Sequence, residues 1–169
     1  MIKPTDDAAI ITIITNREAR RNYYIIETIE TGIELRGTEV KSLREHRGNL
    51  NDAFARIEHG QVFLSKFHIN PYDQGNRFNH DPLRVRRLLL HKNEIRRLVA
   101  HTERKGMALI PLQLYFKRGR VKVELGVAQG KVQYDKREDI KKREHTREMA
   151  RAMAHAGAKA RGRATKHQQ

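Results

Sequence analysis

The groups in this 169-residue chain that could do chemistry are nine histidines, twenty carboxylates and a glycine-spaced run, Gly126-Val-Ala-Gln-Gly-Lys131. A run of that kind suggests backbone amides cradling a triphosphate. Here the glycines stand one residue too close, and Val132 occupies the place where Ser or Thr would hold magnesium. The histidines are never four apart, as two ligands on one helix face would be, and no cysteine joins them. His46, His59 and His80 fall in expected turns. Disulfides, thiolate metal sites and cysteine catalysis are excluded, and no nucleophile elbow supports a serine triad. Glu27 and Glu30 read as solvent-facing strand charges rather than an acid/base pair. The expectation is a binding protein, not an enzyme, with no metal or other cofactor.

What remains is phosphate binding by cations. The formal net charge is +15 and the isoelectric point about 10.5, which favours a polyanionic partner. Charge alone leaves RNA, DNA and anionic membrane open. The cations cluster at Arg17-Glu-Ala-Arg-Arg21, Arg84-Val-Arg-Arg87, Arg96-Arg97, Arg104-Lys105 and Lys117-Arg-Gly-Arg120, and they continue to the C-terminus. Residues 131–169 hold 12 Lys/Arg against 5 Asp/Glu, a net +7, with few aromatic or β-branched residues. Such a segment buries too little apolar surface to repay its own ordering. Its pairs Glu138/Lys142 and Asp139/Arg143 favour a helix by ~0.2–0.5 kcal/mol each, too little to nucleate one in water. The expectation is an arm that becomes helical against RNA; the alternative is a solvated tail. Tyr23, Tyr24 and Tyr72 could stack on bases, or could be half-buried strand residues.

These groups need a scaffold. Tyr23–Arg36 predicts a long strand, with Gly32 marking a bulge or bend. Gly37–Gly48 predicts a short helix capped by Thr38, with Val40 and Leu43 on one face. Residues 53–58 and 61–68 predict a hairpin around His59-Gly60, with the inward set open between Ala53, Ala55, Ile57 and the alternate residues from Phe54. Asn70–Pro82 is a long turn-rich loop, expected to be functional or mobile. Leu88–Arg104 predicts the strongest helix, closed by Gly106. Residues 107–116 and 120–128 predict a second hairpin. Many alternating strands joined by short helices suit a small closed barrel, so the fold expected is mainly β, an OB-like closed barrel with flanking short helices. Ala8–Ile14 is too short and too broken by Thr12 for a secretory signal. No run nears the ~20 apolar residues of a membrane helix. A cytoplasmic protein is expected.

At four places the chain resembles the bacterial SsrA-binding protein, or small protein B (SmpB), family. Gly37-Thr-Glu-Val-Lys-Ser-Leu-Arg44, Arg87-Leu-Leu-Leu90, Gly126-Val-Ala-Gln-Gly-Lys131 and Asp135-Lys-Arg137 follow its motifs in order and spacing, from about Asn16 to Met153. The resemblance implies two parts, 16–130, an OB-fold RNA-binding domain, and 131–169, a basic tail disordered when free and helical on the ribosome; residues 1–15 match nothing in it and are expected to be a mobile N-terminus. It implies a monomer that binds the tRNA-like domain of transfer-messenger RNA and delivers it to stalled ribosomes for trans-translation. In such proteins the tail occupies the decoding centre and the empty mRNA channel.

Carried over position by position, the resemblance implies RNA contacts at Asn16, Arg20, Arg21, Glu30, Leu89 and Lys131. It implies decoding-centre contacts at Gly130, Lys131, Tyr134, Asp135, Lys136 and Arg137. Arg20 and Lys131 would neutralise phosphates, Asn16 would meet a base or sugar, and Leu89 would pack on an unstacked base unless it is core. Glu30 would orient a neighbouring arginine or accept from a base. Arg21 stands where the family often has His, which keeps stacking and hydrogen bonding but removes any pH switch. Gln129 and Val132 replace common lysines, and His145 replaces a position that is often aromatic. A general RNA chaperone and an RNA nuclease are the competing classes.

Overall fold

From Val121 to Val127 every second side chain is aliphatic, and a strand is laid down accordingly. Val121, Val123, Leu125 and Val127 are buried in one core, while Lys122 and Glu124 between them point outward. The computed structural model describes residues 10–131, 140–142, 144–149, 151 and 153, with the side chains of 76–78 excepted. The elements run β1 (Ile11–Thr15), α1 (Arg17–Asn22), β2 (Tyr23–Ile33), α2 (Gly37–Arg44), β3 (Gly48–Asn49), β4 (Phe54–Glu58), β5 (Gln61–Ser65), β6 (His68–Ile69), a 3-10 helix (Asp73–Phe78), β7 (Arg86–Leu89), α3 (Lys92–Thr102), β8 (Met107–Lys117) and β9 (Arg120–Gly130). The protein is mainly β, with one large antiparallel sheet and few short helices. Residues 1–130 and 131–169 are separate units; the described residues 140–142 and 144–149 of the second have helical backbone.

The large sheet is ordered β1-β8-β4-β5-β7-β2-β9, and β9 pairs with β8 as well as with β2. The pairings from β8 through β4, β5, β7, β2 and β9 therefore return to β8. Two hairpins set the register. Arg118 and Gly119 (φ 51° and 72°) and His59 and Gly60 (φ 50° and 70°) both have the positive φ of two-residue turns whose twist suits the strands. The first turn places Lys117 against Arg120 and Tyr115 against Lys122. In the β4–β5 hairpin, Ala55 and the facing Leu64 are buried, which settles the open choice of inward set in favour of Ala53 and Ala55.

The interior gathers Leu43, Leu64, Phe67, Leu98, Leu114, Val123, Leu125 and others into one cluster. Each such side chain contributes ~1.5–3 kcal/mol by burial. A smaller cluster on the opposite, outer face of β8 and β9 unites Ala19 with Ile110, Leu112 and Ala128, and seats α1 there.

Several expectations shift. The folded domain expected from Asn16 gains a strand before it, because Ile11–Thr15 pair with β8. The bulge in β2 lies between Ile25 and Glu27 rather than at Gly32. Gly32 instead admits a close neighbour, since a Cβ there would stand 3.2 Å from Leu89 Cβ. Thr38 does not cap α2. The capping position is Arg36, whose N–H donates to Glu39 Oε2 at 2.7 Å, and Thr38 Oγ1 is buried without a partner. The helix expected from Leu88 begins at Lys92, because Leu88 alternates inward and Leu89 outward on β7, where their segment completes the sheet.

The 70–82 loop is pinned. Asn79 accepts from Tyr72 N–H and donates to Tyr72 C=O, both at 2.9 Å. Ser42 donates to Asn70 O at 2.7 Å.

Candidate nucleic-acid interface

Three places hold the residues singled out from the sequence. The first is α1. Asn16 caps it, its Oδ1 accepting from Ala19 N–H at 3.0 Å. Its Nδ2 donates to Pro111 O (3.1 Å) and Leu50 O (3.3 Å), and its own N–H donates to Leu112 O at 2.7 Å. With both side-chain amide hydrogens donated and only 4% exposure, Asn16 is held within the fold. It bolts α1 to β8 at the bulge between Pro111 and Gln113. What it positions are Arg20 and Arg21, both exposed in the last turn, where the helix dipole favours cations. Arg21 lies 3.5 Å from Glu18.

The second place is a cleft of about 910 Å³ bordered by β2, the β7–α3 junction and the β8–β9 turn, and it brings Glu30 and Leu89 together. Leu89 is 49% exposed, so its side chain is not core. Glu30 is surrounded by groups other than the expected arginine. It accepts from Tyr115 O–H at 2.7 Å and Lys117 Nζ at 3.0 Å, with Lys122 Nζ at 3.7 Å. The Tyr115 hydrogen bond, acting against partial burial and helped by both lysines, holds the Glu30 carboxyl below its ordinary range. Burial, then the hydrogen bond to Glu30, pushes the Tyr115 phenol far up, in keeping with an O–H that retains its proton and donates a hydrogen bond to Glu30. Glu27 points elsewhere, to Arg97 and to His101 Nε2 at 3.2 Å on α3. The two glutamates thus serve separate ion pairs.

The third place is the end of β9. Gly130 is exposed and pairs with Tyr23; Lys131 follows it, half-buried. Tyr134, Asp135, Lys136 and Arg137 lie outside the described residues. Of the tyrosines considered for stacking, Tyr23 is packed in the α1 cluster, Tyr24 is 44% exposed, and Tyr72 is half-buried with Lys41 Nζ 5.5 Å from its ring centre. His46 is exposed, with Nδ1 placed 3.0 Å from Ile13 O. Among the described residues no three His, Asp or Glu side chains come together as a metal would need, and no helix is long and apolar enough to cross a membrane.

Tyr115 and Lys122 escaped the sequence reading. Their signal was the turn at Arg118-Gly119: once it is taken as a two-residue hairpin, Tyr115 must face Lys122.

A third set of charges is sealed. Glu39 and Arg86 are 5% and 0% exposed. Glu39 Oε1 accepts from Arg84 Nε and Arg86 Nε, both at 2.9 Å, and Oε2 accepts from Arg84 Nη2 at 2.5 Å. Arg86 also donates to the carbonyls of Phe67 (2.6 Å), Arg84 (2.9 Å) and Pro82 (3.1 Å). Burial raises the Glu39 carboxyl, but the Arg84 hydrogen bond, the Arg36 amide and Arg86 outweigh it and hold it below its ordinary value.

Comparison with known proteins agrees with this picture. The family model described as "SmpB protein" matches residues 13–155. An SsrA-binding protein of Desulforudis audaxviator is 59% identical over 138 residues, covering 82% of this chain and 90% of the relative. One from Bacillus subtilis is 56% identical over 134 residues, covering 79% and 86%. A solved structure described as "tmRNA-SmpB: a journey to the center of the bacterial ribosome" superposes with a TM-score of 0.62 at 48% identity, covering 75% of this chain and 93% of that one. The chain belongs to the SmpB protein family.

Proposed function

We propose that this chain binds the tRNA-like domain of transfer-messenger RNA and delivers it to stalled ribosomes for trans-translation, as a monomeric cytoplasmic adaptor without catalysis. Family membership across residues 13–155 is the observation that carries the reading. The relatives are named as SsrA-binding proteins, and a related structure is described with tmRNA and the bacterial ribosome. On this reading the ring of paired strands closes as an OB-like barrel that presents Arg20 and Arg21 on α1, and Glu30 and Leu89 in the cleft. Lys131 extends the RNA contact from the start of the tail. The tail, through Gly130, Lys131, Tyr134, Asp135, Lys136 and Arg137, stands in for the missing codon–anticodon pairing in the decoding centre and the empty mRNA channel.

The test is competition binding of the full chain to a tRNA-like-domain fragment against bulk tRNA across a salt series. Binding that survives excess tRNA at moderate salt is expected. Equal binding to both RNAs, collapsing together as salt rises, would favour a general RNA chaperone. Arg20→Ala should lower the salt slope by about one unit. Truncation after Lys131 should leave RNA affinity nearly intact and abolish tagging on stalled ribosomes. If truncation instead destroys RNA binding, the division between domain and tail is wrong.

A further inference from the structure

The short helix α1 sorts its charges. Arg17, Arg20 and Arg21 are exposed, while Glu18 and Asn22 line a groove of about 490 Å³ bordered by α1, β4 and the start of β8. The groove opens where the sheet is least stitched. β4 and β8 share one bridged pair, Ala55 with Leu109. Its floor is apolar, made by Phe54 and Ala108, both half-buried, and by Ile110, 6% exposed, all three packed in the α1 cluster.

The rim sets two acids, Glu18 and Asp52, against one cation, Lys66. Asp52 lies two residues before β4 and Lys66 directly after β5, both in left-handed turns with φ 61° and 57°. Aspartate tolerates that backbone better than most residues, so the turn fixes where an exposed carboxylate stands. Among the described residues no cation pairs with the Asp52 carboxylate and no acid with Lys66. Glu18 is held only loosely, with Arg21 3.5 Å away.

On a chain of net charge +15 this groove does not suit RNA. Fields of exposed charges are screened within about 8–10 Å, so the groove's own acids decide what enters it, and they repel phosphate. An apolar floor under an acidic rim complements a cationic protein segment. Such a segment lays an aliphatic side chain on Phe54 and Ile110 and brings an ammonium to Asp52.

We propose that this groove docks a lysine-bearing segment of a ribosomal protein, with Asp52 as its anchor. Proteins that live on RNA carry Lys/Arg-rich arms, so the ribosome supplies the required chemistry. The inference rests on the ribosome-delivery reading above and adds a protein contact to it.

Purified ribosomes stalled on a truncated message are loaded with full-length protein and the tRNA-like-domain fragment, then treated with a water-soluble carbodiimide and glycine amide. Mass spectrometry reads the labelling of Asp52, which should be fast in the free protein and suppressed on the ribosome. Without glycine amide, the carbodiimide should join Asp52 to a lysine of a ribosomal protein. Asp52→Lys should weaken ribosome binding of the RNA-loaded protein by about tenfold and leave affinity for the fragment alone unchanged. Asp52→Asn, which keeps the left-handed turn, should show a smaller loss of the same kind, and thermal unfolding confirms that both variants are folded. Labelling as fast on the ribosome as in solution leaves the groove uncovered and overturns the inference. Protection without coupling to a protein lysine gives the groove another occupant, rRNA if ultraviolet light joins the two, and overturns it as well. So does unchanged ribosome binding in both variants. In each of these cases the delivery function stands, because the unaltered protein still binds. If the unaltered RNA-loaded protein does not bind stalled ribosomes at all, both fall.

Discussion

Two carboxylates in this protein each gather two cations, and the results are opposite in kind. Glu39 takes Arg84 and Arg86 and is sealed; Glu30 takes Lys117 and Lys122 and stays open. The choice of cation follows from burial. Inside the fold every N–H must find an acceptor, and the planar arginine fork lets Arg86 reach Glu39 and three carbonyls at fixed angles. At the surface an ammonium on a flexible stem can serve Glu30 and keep a donor for something else. The sealed cluster ties α2 to the start of β7 and the end of the 70–82 loop. The open one leaves its cations where a ligand can reach them.

The comparison breaks first at Arg86. Arg86→Met leaves Glu39 buried with Arg84 as its one cation and takes a donor from the carbonyls of Phe67, Arg84 and Pro82, of which Pro82 keeps the Ile69 N–H, and should cost ~3–5 kcal/mol of folding free energy. Lys117→Met should stay within ~1 kcal/mol, as exposed pairs do. Urea unfolding of the two variants measures both; equal losses would end the distinction between a structural and a presenting cluster.

Acid sharpens it next. The Glu39 carboxyl titrates below its ordinary value in the folded protein. Its contribution is therefore complete above the unfolded value near 4.5 and is lost as pH falls through the lowered one. Stability should decline on acidification below about pH 4.5. Glu39→Gln should be less stable at neutral pH but flatter across that acid range. Identical slopes for variant and unaltered protein would show that other carboxylates carry the acid response.

How much of this was readable beforehand depends on where the deciding contact lies. Both hairpins were legible because alternation and a turn dipeptide are local signals, as in Val121–Val127 after Gly119. The strand at Ile11–Thr15 was not, since its partner β8 lies a hundred residues away. Leu88–Leu90 reads in the sequence as the start of a helix because a short apolar run has no period of its own, and only pairing with Val62 and Gly32 decides it. At the site, the Glu30 and Leu89 positions came from family motifs, and their shared cleft is tertiary. At Asn16 the sequence cannot choose, because an asparagine before a helix advertises the same donor and acceptor whether they serve RNA or the fold.

Asn16 gives the third test. Asn16→Ala removes a helix cap and two amide hydrogen bonds, and should cost ~1–3 kcal/mol. RNA affinity should fall only as α1 loosens, so stabilising osmolytes should restore much of it. Full stability with lost affinity would show that Asn16 itself touches RNA.

The smallest effect on the fold belongs to Leu89, and it separates stability from binding most cleanly. Leu88 is buried at 3% exposure, while Leu89, its neighbour, is half exposed in the cleft with Glu30. Gly32 faces Leu89 across the strands without a side chain of its own. Leu89→Ala removes atoms that are already largely in water, so unfolding free energy should move by no more than ~0.5 kcal/mol. If Leu89 packs on an unstacked base, affinity for the tRNA-like fragment should fall about tenfold, as the loss of ~1.4 kcal/mol of apolar burial would give. The salt slope should stay unchanged, because no phosphate contact is lost. A changed slope would mean the RNA has shifted on the face, whereas unchanged affinity would restrict the interface to its charged residues.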